Sequence, residues 1–288
     1  MFNVVDHLFH FLWGKTGKKV VLSDIVVLIR GAGEMASGVA WRLHQCGFRI
    51  ILTEKSQPMA VRRKVSFCEA VFEKHMIVEG VEAQLIETPD ERHPIWAERK
   101  IPILVDPDCD SKHVICPNVL VDAILAKKNI GTSLTDAPLV IALGPGFEVE
   151  KDAHFVVETM RGHNLGRLLT SGHAQPDTGL PGSVHGITTD RVLRAPENGR
   201  FQGALSIGDL VKKGDIAGTI AGKPVKAQID GVLRGLIHDG VDVPKGLKIG
   251  DIDPRGIIKD CYTISDKARA IGGAVLEGIL RIHLKNAK

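Results

Sequence analysis

A short phrase of residues occurs twice in the C-terminal half of the chain. The first copy spans 208–220 and the second 240–252, and glycine, valine, lysine and isoleucine recur in register between them. The segment between the copies, 225–233, alternates apolar and polar residues as a half-buried strand does. Because an internal repeat constrains a fold more firmly than local propensity does, we predict two similar half-barrels that face each other in a small all-β unit.

The repeat and its central strand resemble the barrel-sandwich hybrid of biotinyl and lipoyl carrier domains. In that family a modified lysine lies at the tip of a central hairpin, and counting back from Asp230 places the tip near Ile220. Lys223 occupies a shortened turn, but the residues that flank an attachment lysine are absent. We therefore expect 191–258 to be a structural or docking unit rather than a carrier, with no covalently bound biotin or lipoate.

A glycine-rich turn follows an apolar run at 25–29, which is typical of a strand buried on both faces. The turn and the start of the next predicted helix contain Gly31, Gly33, Ala36 and Gly38. Gly31 permits a tight turn, Gly33 lets backbone approach a phosphate, and a small residue at 36 or 38 lets the helix pack on the strand. The helix N-terminus would offer free N–H groups to that phosphate.

The next apolar strand, 50–53, ends at Glu54, where an acid would hydrogen-bond the ribose hydroxyls of a dinucleotide. The alternative is a Rossmann-like unit that binds no dinucleotide. Further strands are predicted at 76–78, 101–105 and 139–143. Together these patterns predict a Rossmann-like parallel sheet domain over 23–160, in an α/β fold.

Two later segments carry further candidate ligand contacts. Gly144 and Gly146 form a second turn after a buried strand, although a plain turn explains them equally well. Arg161 and His163 precede a loop rich in glycine and proline, and arginine binds anions with a rigid fork. We predict that 161–190 links the domains and carries part of a ligand site, the alternative being a solvated linker.

The last segment, 259–288, is predicted to form a helix that packs on the first domain. Ser265 is a plausible N-cap, and apolar residues then recur at spacings of three and four. Gly272, Gly273 and Gly278 interrupt that stripe, and each costs about 1 kcal/mol relative to alanine. We therefore expect close contact with another element there.

Composition argues against several classes of protein. The net charge is +3, which is not the electrostatic footprint of a nucleic-acid-binding protein. The five cysteines show neither a disulfide framework nor paired zinc-ligand spacing, which favours a reducing cytoplasm and no metal site.

The apolar stretch 8–13 is shorter than the roughly 20 residues that span a bilayer, and we interpret 1–22 as an N-terminal extension. No hydrolase or zincin motif is present, so no catalytic residue is assigned.

Seven phrases resemble those of a known family over about 26–284. They are IRGAGEMASGVAWRL, VSFCEAV, VDAILAKKNIGT, LGPGF, ETMRGHNLGR, TGLPG and GLKIGDIDPRG…CYTISDKARAIGGAVLEGIL. The family is that of the YqeB-type accessory proteins of the selenium-dependent molybdenum hydroxylase system. The first part is also similar to XdhC-type molybdenum cofactor chaperones.

This resemblance implies a cytoplasmic maturation factor for molybdenum hydroxylases that carry a labile selenium ligand. It implies a phosphate-bearing, molybdopterin-type cofactor as ligand and a molybdenum hydroxylase client as partner, with no nucleic acid or membrane. The glycine turn carries over at Gly31, Gly33 and Gly38, and no catalytic residue does. Two alternatives remain: an NAD-dependent oxidoreductase that uses Glu54 and His163, and a noncatalytic scaffold that docks the hydroxylase.

Overall fold

The computed structural model describes residues 12–13, 19–180 and 182–285. Most of the predicted extension 1–22 therefore lies outside the described residues. The helices are α1 (Glu34–Gln45), α2 (Ala70–Glu73), α3 (Arg92–Ala97), α4 (Lys112–Ile115) and α5 (Asp266–Lys285). The strands are β1 (Leu12–Trp13), β2 (Lys19–Val20), β3 (Val26–Arg30), β4 (Arg49–Glu54), β5 (His75–Val78), β6 (Val81–Ile86), β7 (Ile101–Val105), β8 (Val119–Asp122), β9 (Leu139–Leu143), β10 (Phe155–Val157), β11 (Leu168–Leu169), β12 (Val192–Arg194), β13 (Gly199–Gly203), β14 (Leu210–Val211), β15 (Ile216–Ile220), β16 (Lys223–Lys226), β17 (Gly231–Leu236), β18 (Asp242–Val243) and β19 (Lys248–Asp253).

Nine strands form one mixed sheet in the order β11-β10-β9-β8-β3-β4-β7-β6-β5. The seven inner strands run parallel, whereas β11 and β5 pair antiparallel at the two edges. The central strands are continuously apolar because both faces of the sheet are covered. One face packs against α1 and α5, and the other against α3, α4 and irregular segments.

The predicted fold class, a Rossmann-like parallel sheet followed by a barrel-sandwich hybrid, is wrong, whereas the predicted C-terminal helix is present as α5. The large sheet is mixed, and among the described connections between its parallel strands only that from β3 to β4 contains a helix longer than six residues. A glycine turn between an apolar strand and a helix determines one βαβ unit. It does not determine the direction of the strands that are added later or what covers their second face.

The C-terminal β region, 191–253, contains two four-stranded antiparallel sheets, ordered β12-β19-β17-β14 and β16-β15-β13-β18. Each copy of the sequence repeat contributes one short and one longer strand, and the two strands join different sheets. The predicted strand 225–233 is interrupted at 227–230, between β16 and β17. A separate apolar core that includes Phe201 fills this region.

Helix α5 lies directly against α1. A Cβ atom added at Gly38 would lie 2.7 Å from the Cβ of Ala268, and one at Gly272 would lie 2.9 Å from the carbonyl oxygen of Gly38. Gly278 faces Ile141 of the sheet in the same manner, whereas Gly273 has open space around it. Glycine thus allows the two helix backbones to approach at 38 and 272.

The segment 61–63 connects the large sheet to the C-terminal β region. Arg63 Nε donates to the carbonyl oxygen of Leu236 at 3.1 Å, and Arg62 Nη2 donates to that of Asp260 at 3.0 Å. Gly235 lies so close to Val61 that an added Cβ would be 2.8 Å from it. These contacts hold the C-terminal region beside one edge of the sheet. None of the described helices is both long and apolar enough to cross a membrane.

Candidate functional site

A cavity of about 840 Å³ lies between the large sheet and the C-terminal β region. One wall is formed by the residues that follow the carboxyl ends of the parallel strands β3, β4, β7, β8, β9 and β10. The opposite wall comes from β17, β19 and the start of α5. Open α/β sheets bind ligands at the carboxyl ends of their strands, so the cavity is the candidate functional site.

The walls of the cavity carry more basic than acidic side chains. The basic residues are Arg30, Lys55, Arg62, Arg161, Arg191, Arg234, Lys248 and Lys267. The acidic residues are Glu34, Glu54, Asp106, Asp177 and Asp251. Among the lining residues, the basic groups therefore outnumber the carboxylates by eight to five.

Most of these basic groups already have a carboxylate partner. Arg161 makes two hydrogen bonds to Asp266, at 2.8 and 3.0 Å, and Arg191 pairs with Asp251. The other pairs are Arg30 with Asp122, Arg62 with Glu34, Arg234 with Asp253 and Lys248 with Asp251. Lys55 and Lys267 have no carboxylate within 4.0 Å among the described residues. These two lysines are the basic groups that remain for a ligand.

The pKa of Lys267 is lowered from its usual value. Burial against the cavity wall is the main cause, and the positive charge of Arg161 lowers it further. Burial also lowers the pKa of Arg62, although Glu34 opposes that effect. A bound anion would relieve the repulsion among these groups, because an opposite charge nearby stabilises the protonated form.

The glycine turn faces the cavity at the N-terminus of α1. Gly31 has a φ angle of 96°, which favours glycine, and an added Cβ would lie 3.3 Å from the backbone of Ala123. Gly33 is the N-cap of α1 and has no capping side chain, and among the described residues no atom would lie within 4 Å of an added Cβ. The turn therefore exposes backbone at the positive end of a helix, where phosphate binds well.

Glu54 supports this turn. Its Oε2 accepts a hydrogen bond from the N–H of Ala32 at 3.0 Å, and its Oε1 accepts one from the N–H of Lys55 at 2.9 Å. The sequence predicted a contact from this carboxylate to ribose hydroxyls. In the structure both oxygens are engaged by backbone amides, so the acid holds the turn in place.

The N-terminus of α5 also reaches the cavity, through Ser265 and Lys267. The Oγ of Ser265 accepts a hydrogen bond from the N–H of Ala268 at 3.3 Å and so caps the helix. Two helix N-termini therefore meet the same cavity, and both contribute positive potential.

Four of the predicted site residues line the cavity: Gly31, Gly33, Glu54 and Arg161. The other five, Ala36, Gly38, Gly144, Gly146 and His163, do not. Ala36 is buried within α1, and Gly38 faces α5. An added Cβ at Gly144 would meet Thr159, and one at Gly146 would meet the backbone of Lys128. The second glycine turn thus packs tightly against protein, and only Pro145 between the two glycines reaches the cavity.

The sequence did not indicate most of the basic side chains that line the cavity. Arg191, Arg234 and Lys248 lie in or beside short β-strands, where a charged side chain is an ordinary outward-facing residue. Lys55 follows Glu54, a predicted ligand contact, and Lys267 lies two residues after Ser265, the predicted N-cap. These sequence positions were the only indication that the two lysines lie near the site. Only the packing of the C-terminal region against the sheet turns these side chains toward one cavity.

No protein-family model matches the chain. The chain is 48% identical over 263 residues to "Uncharacterized protein YqeB" of Escherichia coli (strain K12). The match covers 91% of this chain and 49% of that protein, so the chain spans about half the length of the curated relative it matches. This similarity supports the YqeB-type part of the resemblance, whereas the association with selenium-dependent hydroxylases and XdhC-type chaperones stays a prediction.

Similarities to solved structures are weak. TcdA (CsdL) gives a TM-score of 0.34 at 12% identity, with 91% of this chain and 89% of that chain covered. An aspartoacylase family protein from Mesorhizobium loti gives 0.26 at 12% identity, with 79% and 84% covered. A succinylglutamate desuccinylase/aspartoacylase from Rhodobacter sphaeroides gives 0.26 at 13% identity, with 79% and 85% covered. At these TM-scores the activities named for those proteins are not extended to this chain.

Proposed function

We propose that the chain binds a phosphate-bearing small molecule in the cavity. The observation that carries this proposal is the uncapped N-terminus of α1 at Gly33, which opens into a cavity with an excess of basic side chains. A phosphate group would accept hydrogen bonds from the backbone N–H groups of the first helical turn. Lys55 and Lys267 would then supply charge that no described carboxylate neutralises.

The volume of the cavity favours a ligand larger than inorganic phosphate. Pockets for drug-sized ligands and cofactors span roughly 300–1,000 Å³, and this cavity of about 840 Å³ lies in the upper part of that range. A nucleotide or a pterin with a phosphate tail has this size and charge. We propose a molybdopterin-type cofactor, as the family resemblance implies.

The cellular role that we propose is that of a cytoplasmic accessory factor in the maturation of a molybdenum hydroxylase. The support for this role is the resemblance of the sequence phrases together with the similarity to YqeB. The client hydroxylase and any handling of selenium belong to this proposal. Residues 31–33 and 267 would hold the cofactor, and the chain would present it at the open side of the cavity.

The NAD-dependent oxidoreductase alternative loses its candidate proton donor in the structure. It needed Glu54 on the ribose and His163 as a proton donor. Each oxygen of Glu54 accepts one backbone N–H and keeps a lone pair for a ribose hydroxyl, whereas His163 is exposed outside the cavity lining. We therefore do not propose that activity.

Native mass spectrometry and calorimetric titration with molybdopterin cofactor, NAD and pyrophosphate would test the proposal. We expect the cofactor to bind with a 1:1 stoichiometry and the Gly33→Asp variant to lose at least tenfold in affinity. Aspartate is a favoured N-cap residue, so this variant should fold while its carboxylate repels the phosphate. Gly273→Asp is the matched control, since Gly273 also has open space around it but lies away from the cavity.

Equal affinity of Gly33→Asp and wild type for the cofactor would contradict the phosphate site. Binding of NAD alone, reduced in Gly33→Asp, would keep the phosphate site but reject the molybdopterin-type ligand. Binding of none of the three compounds would reject the proposal as a whole.

A further inference from the structure

Two carboxylates and an imidazole converge outside the cavity. Glu69 and Glu73 lie at the start and end of the turn that contains α2, and His238 lies in the loop between β17 and β18. One potential ligand atom from each of the three residues lies within 4.8 Å of the other two. The Nε2 of His238 is 3.6 Å from Oε1 of Glu69 and 3.6 Å from Oε1 of Glu73.

The ring of His238 is fixed in an orientation that suits a metal ligand. Its Nδ1 lies 2.7 Å from the carbonyl oxygen of Asp239. Because a carbonyl can only accept, Nδ1 carries a proton, and Nε2, which faces the two glutamates, is the nitrogen that would bind a metal. The ring also stacks on Phe72, with centroids 3.9 Å apart and planes at 18°. Metal-bound histidines are typically held by such an Nδ1–H contact to a carbonyl group.

The carboxylate of Glu69 is also held in place, by burial and by a hydrogen bond from Arg63. Its side chain is only 6% exposed, and its Oε1 accepts a hydrogen bond from Nη1 of Arg63 at 3.2 Å. Its Oε2 accepts no hydrogen bond from any residue that the structure describes. Carboxylate ligands of metals are commonly oriented by one such partner, and here that partner holds Oε1, the oxygen that lies 3.6 Å from Nε2 of His238.

The two distances that involve His238 are close to those of a coordination sphere, and the ligand atoms of the two glutamates lie within 4.8 Å of each other. Ligand atoms about 2.0 Å from a tetrahedral zinc ion lie roughly 3.3 Å from one another. The two distances of 3.6 Å exceed this value by a few tenths of an ångström. Glu73 is 63% exposed in its side chain and can move by that amount without disturbing packing.

We propose that Glu69, Glu73 and His238 bind a divalent transition-metal ion such as Zn²⁺, with water completing its coordination. Imidazole nitrogen and carboxylate oxygen together suit Zn²⁺ and Mn²⁺ rather than Mg²⁺ or Ca²⁺. The two glutamates belong to the segment beside the large sheet, and the histidine belongs to the C-terminal β region. The ion therefore fastens these two parts of the chain together at a place distinct from the phosphate site.

Calorimetric titration of chelator-treated protein with ZnCl₂ and MnCl₂ tests this site. We expect one equivalent to bind, and we expect affinity to fall at least tenfold in Glu73→Gln and in His238→Gln. Zn²⁺ should also raise the Tm of the wild type but not of these variants, because an ion that binds only the folded state stabilises it. Glu87→Gln and His173→Gln are matched exposed controls and should behave as the wild type does.

The Co²⁺-loaded protein adds a direct readout, namely visible absorption bands that disappear in Glu73→Gln. Glu73 is exposed, so that variant should fold even if His238→Gln does not. Zn²⁺ affinity that is the same in Glu73→Gln and Glu87→Gln would overturn the proposal. Absence of binding to the wild type would overturn it as well.

Discussion

At the scale of single residues, the chemistry of the cavity depends on which charges have partners. The Arg161 guanidinium holds the pKa of Asp266 at about 2, so this pair remains charged over the physiological range. Lys267, the next residue, has no carboxylate within 4.0 Å among the described residues, and its pKa is lowered by burial and by Arg161. Lys267 is therefore the residue whose charge a ligand would most directly neutralise.

Lys267→Met should lower the affinity for pyrophosphate or cofactor by roughly 10- to 100-fold, because a hydrogen bond to a charged group contributes about 1.5–3 kcal/mol. Wild-type affinity should fall as pH rises, beginning below the usual lysine range, because the lowered pKa removes the charge of Lys267 early. Lys267→Arg keeps its charge and should lose that part of the pH dependence. Calorimetry between about pH 7 and 10 would measure both effects, and identical pH profiles for wild type and Lys267→Arg would contradict this assignment.

At the scale of elements, the pair of helices α1 and α5 shows how glycine positions a site. Gly38 and Gly272 bring the two backbones together over one face of the sheet. This packing places the start of α5, with Lys267, beside the start of α1, with Gly33. The sequence predicted close contact along the C-terminal helix, but Gly38 was interpreted as part of a cofactor turn.

Gly38→Ala should destabilise the protein by about 1–3 kcal/mol, since an added Cβ would lie 2.7 Å from the Cβ of Ala268 and the core is already filled. Gly273→Ala, on the open face of α5, should instead gain up to about 1 kcal/mol from helix propensity. Chemical unfolding followed by circular dichroism would compare the two free energies. A stabilised Gly38→Ala variant would mean that the helices do not pack as described.

The hairpin β5–β6 is an element that was not predicted from the sequence. Its turn contains Glu79 and Gly80, both with positive φ, at 43° and 80°, as tight antiparallel hairpins require. The sequence pattern predicts the strand at 76–78, whereas the alternating segment 81–86 that follows was not predicted. Because the glycine at 80 was not interpreted as a hairpin turn, the edge of the sheet was predicted parallel.

At the scale of the whole molecule, the cavity exists because the C-terminal β region is held beside the carboxyl edge of the large sheet. Arg191 reaches from the start of that region to Asp251 in β19 and to the carbonyl oxygen of Gly182, which its Nε approaches at 3.2 Å. Both charged side chains of the Arg191–Asp251 pair are at least 90% buried. This pair therefore links the loop at 182 to β19, which lines the cavity.

Asp251→Asn should destabilise the protein by about 3–5 kcal/mol, because it leaves a buried guanidinium without its carboxylate. Asp242→Asn is the control: its exposed pair with Arg200 spans 3.6 Å, and such pairs contribute about 0–1 kcal/mol. Thermal or chemical unfolding would separate the two variants. Similar small losses in both would indicate that the Arg191–Asp251 pair does not stabilise this link.

The local features of this protein follow from adjacent residues of its sequence. An apolar run, a glycine turn and a helix specify β3 and α1, and this pattern together with the next strand predicts Gly31, Gly33 and Glu54 at the cavity. Arg161 was predicted separately, from the polar segment before the loop rich in glycine and proline. The position of the second helix N-terminus was also predictable, from Ser265 and the apolar stripe behind it.

Long-range packing fixes the direction of the edge strands, the elements that cover the second face of the sheet, and the charges that come together. Arg62, Arg191 and Arg234 come from distant parts of the chain, and each is unremarkable in its local sequence. The same holds for the association of Glu69 with His238. Long-range packing brings these groups together, and a single sequence does not reveal which distant side chains share a cavity.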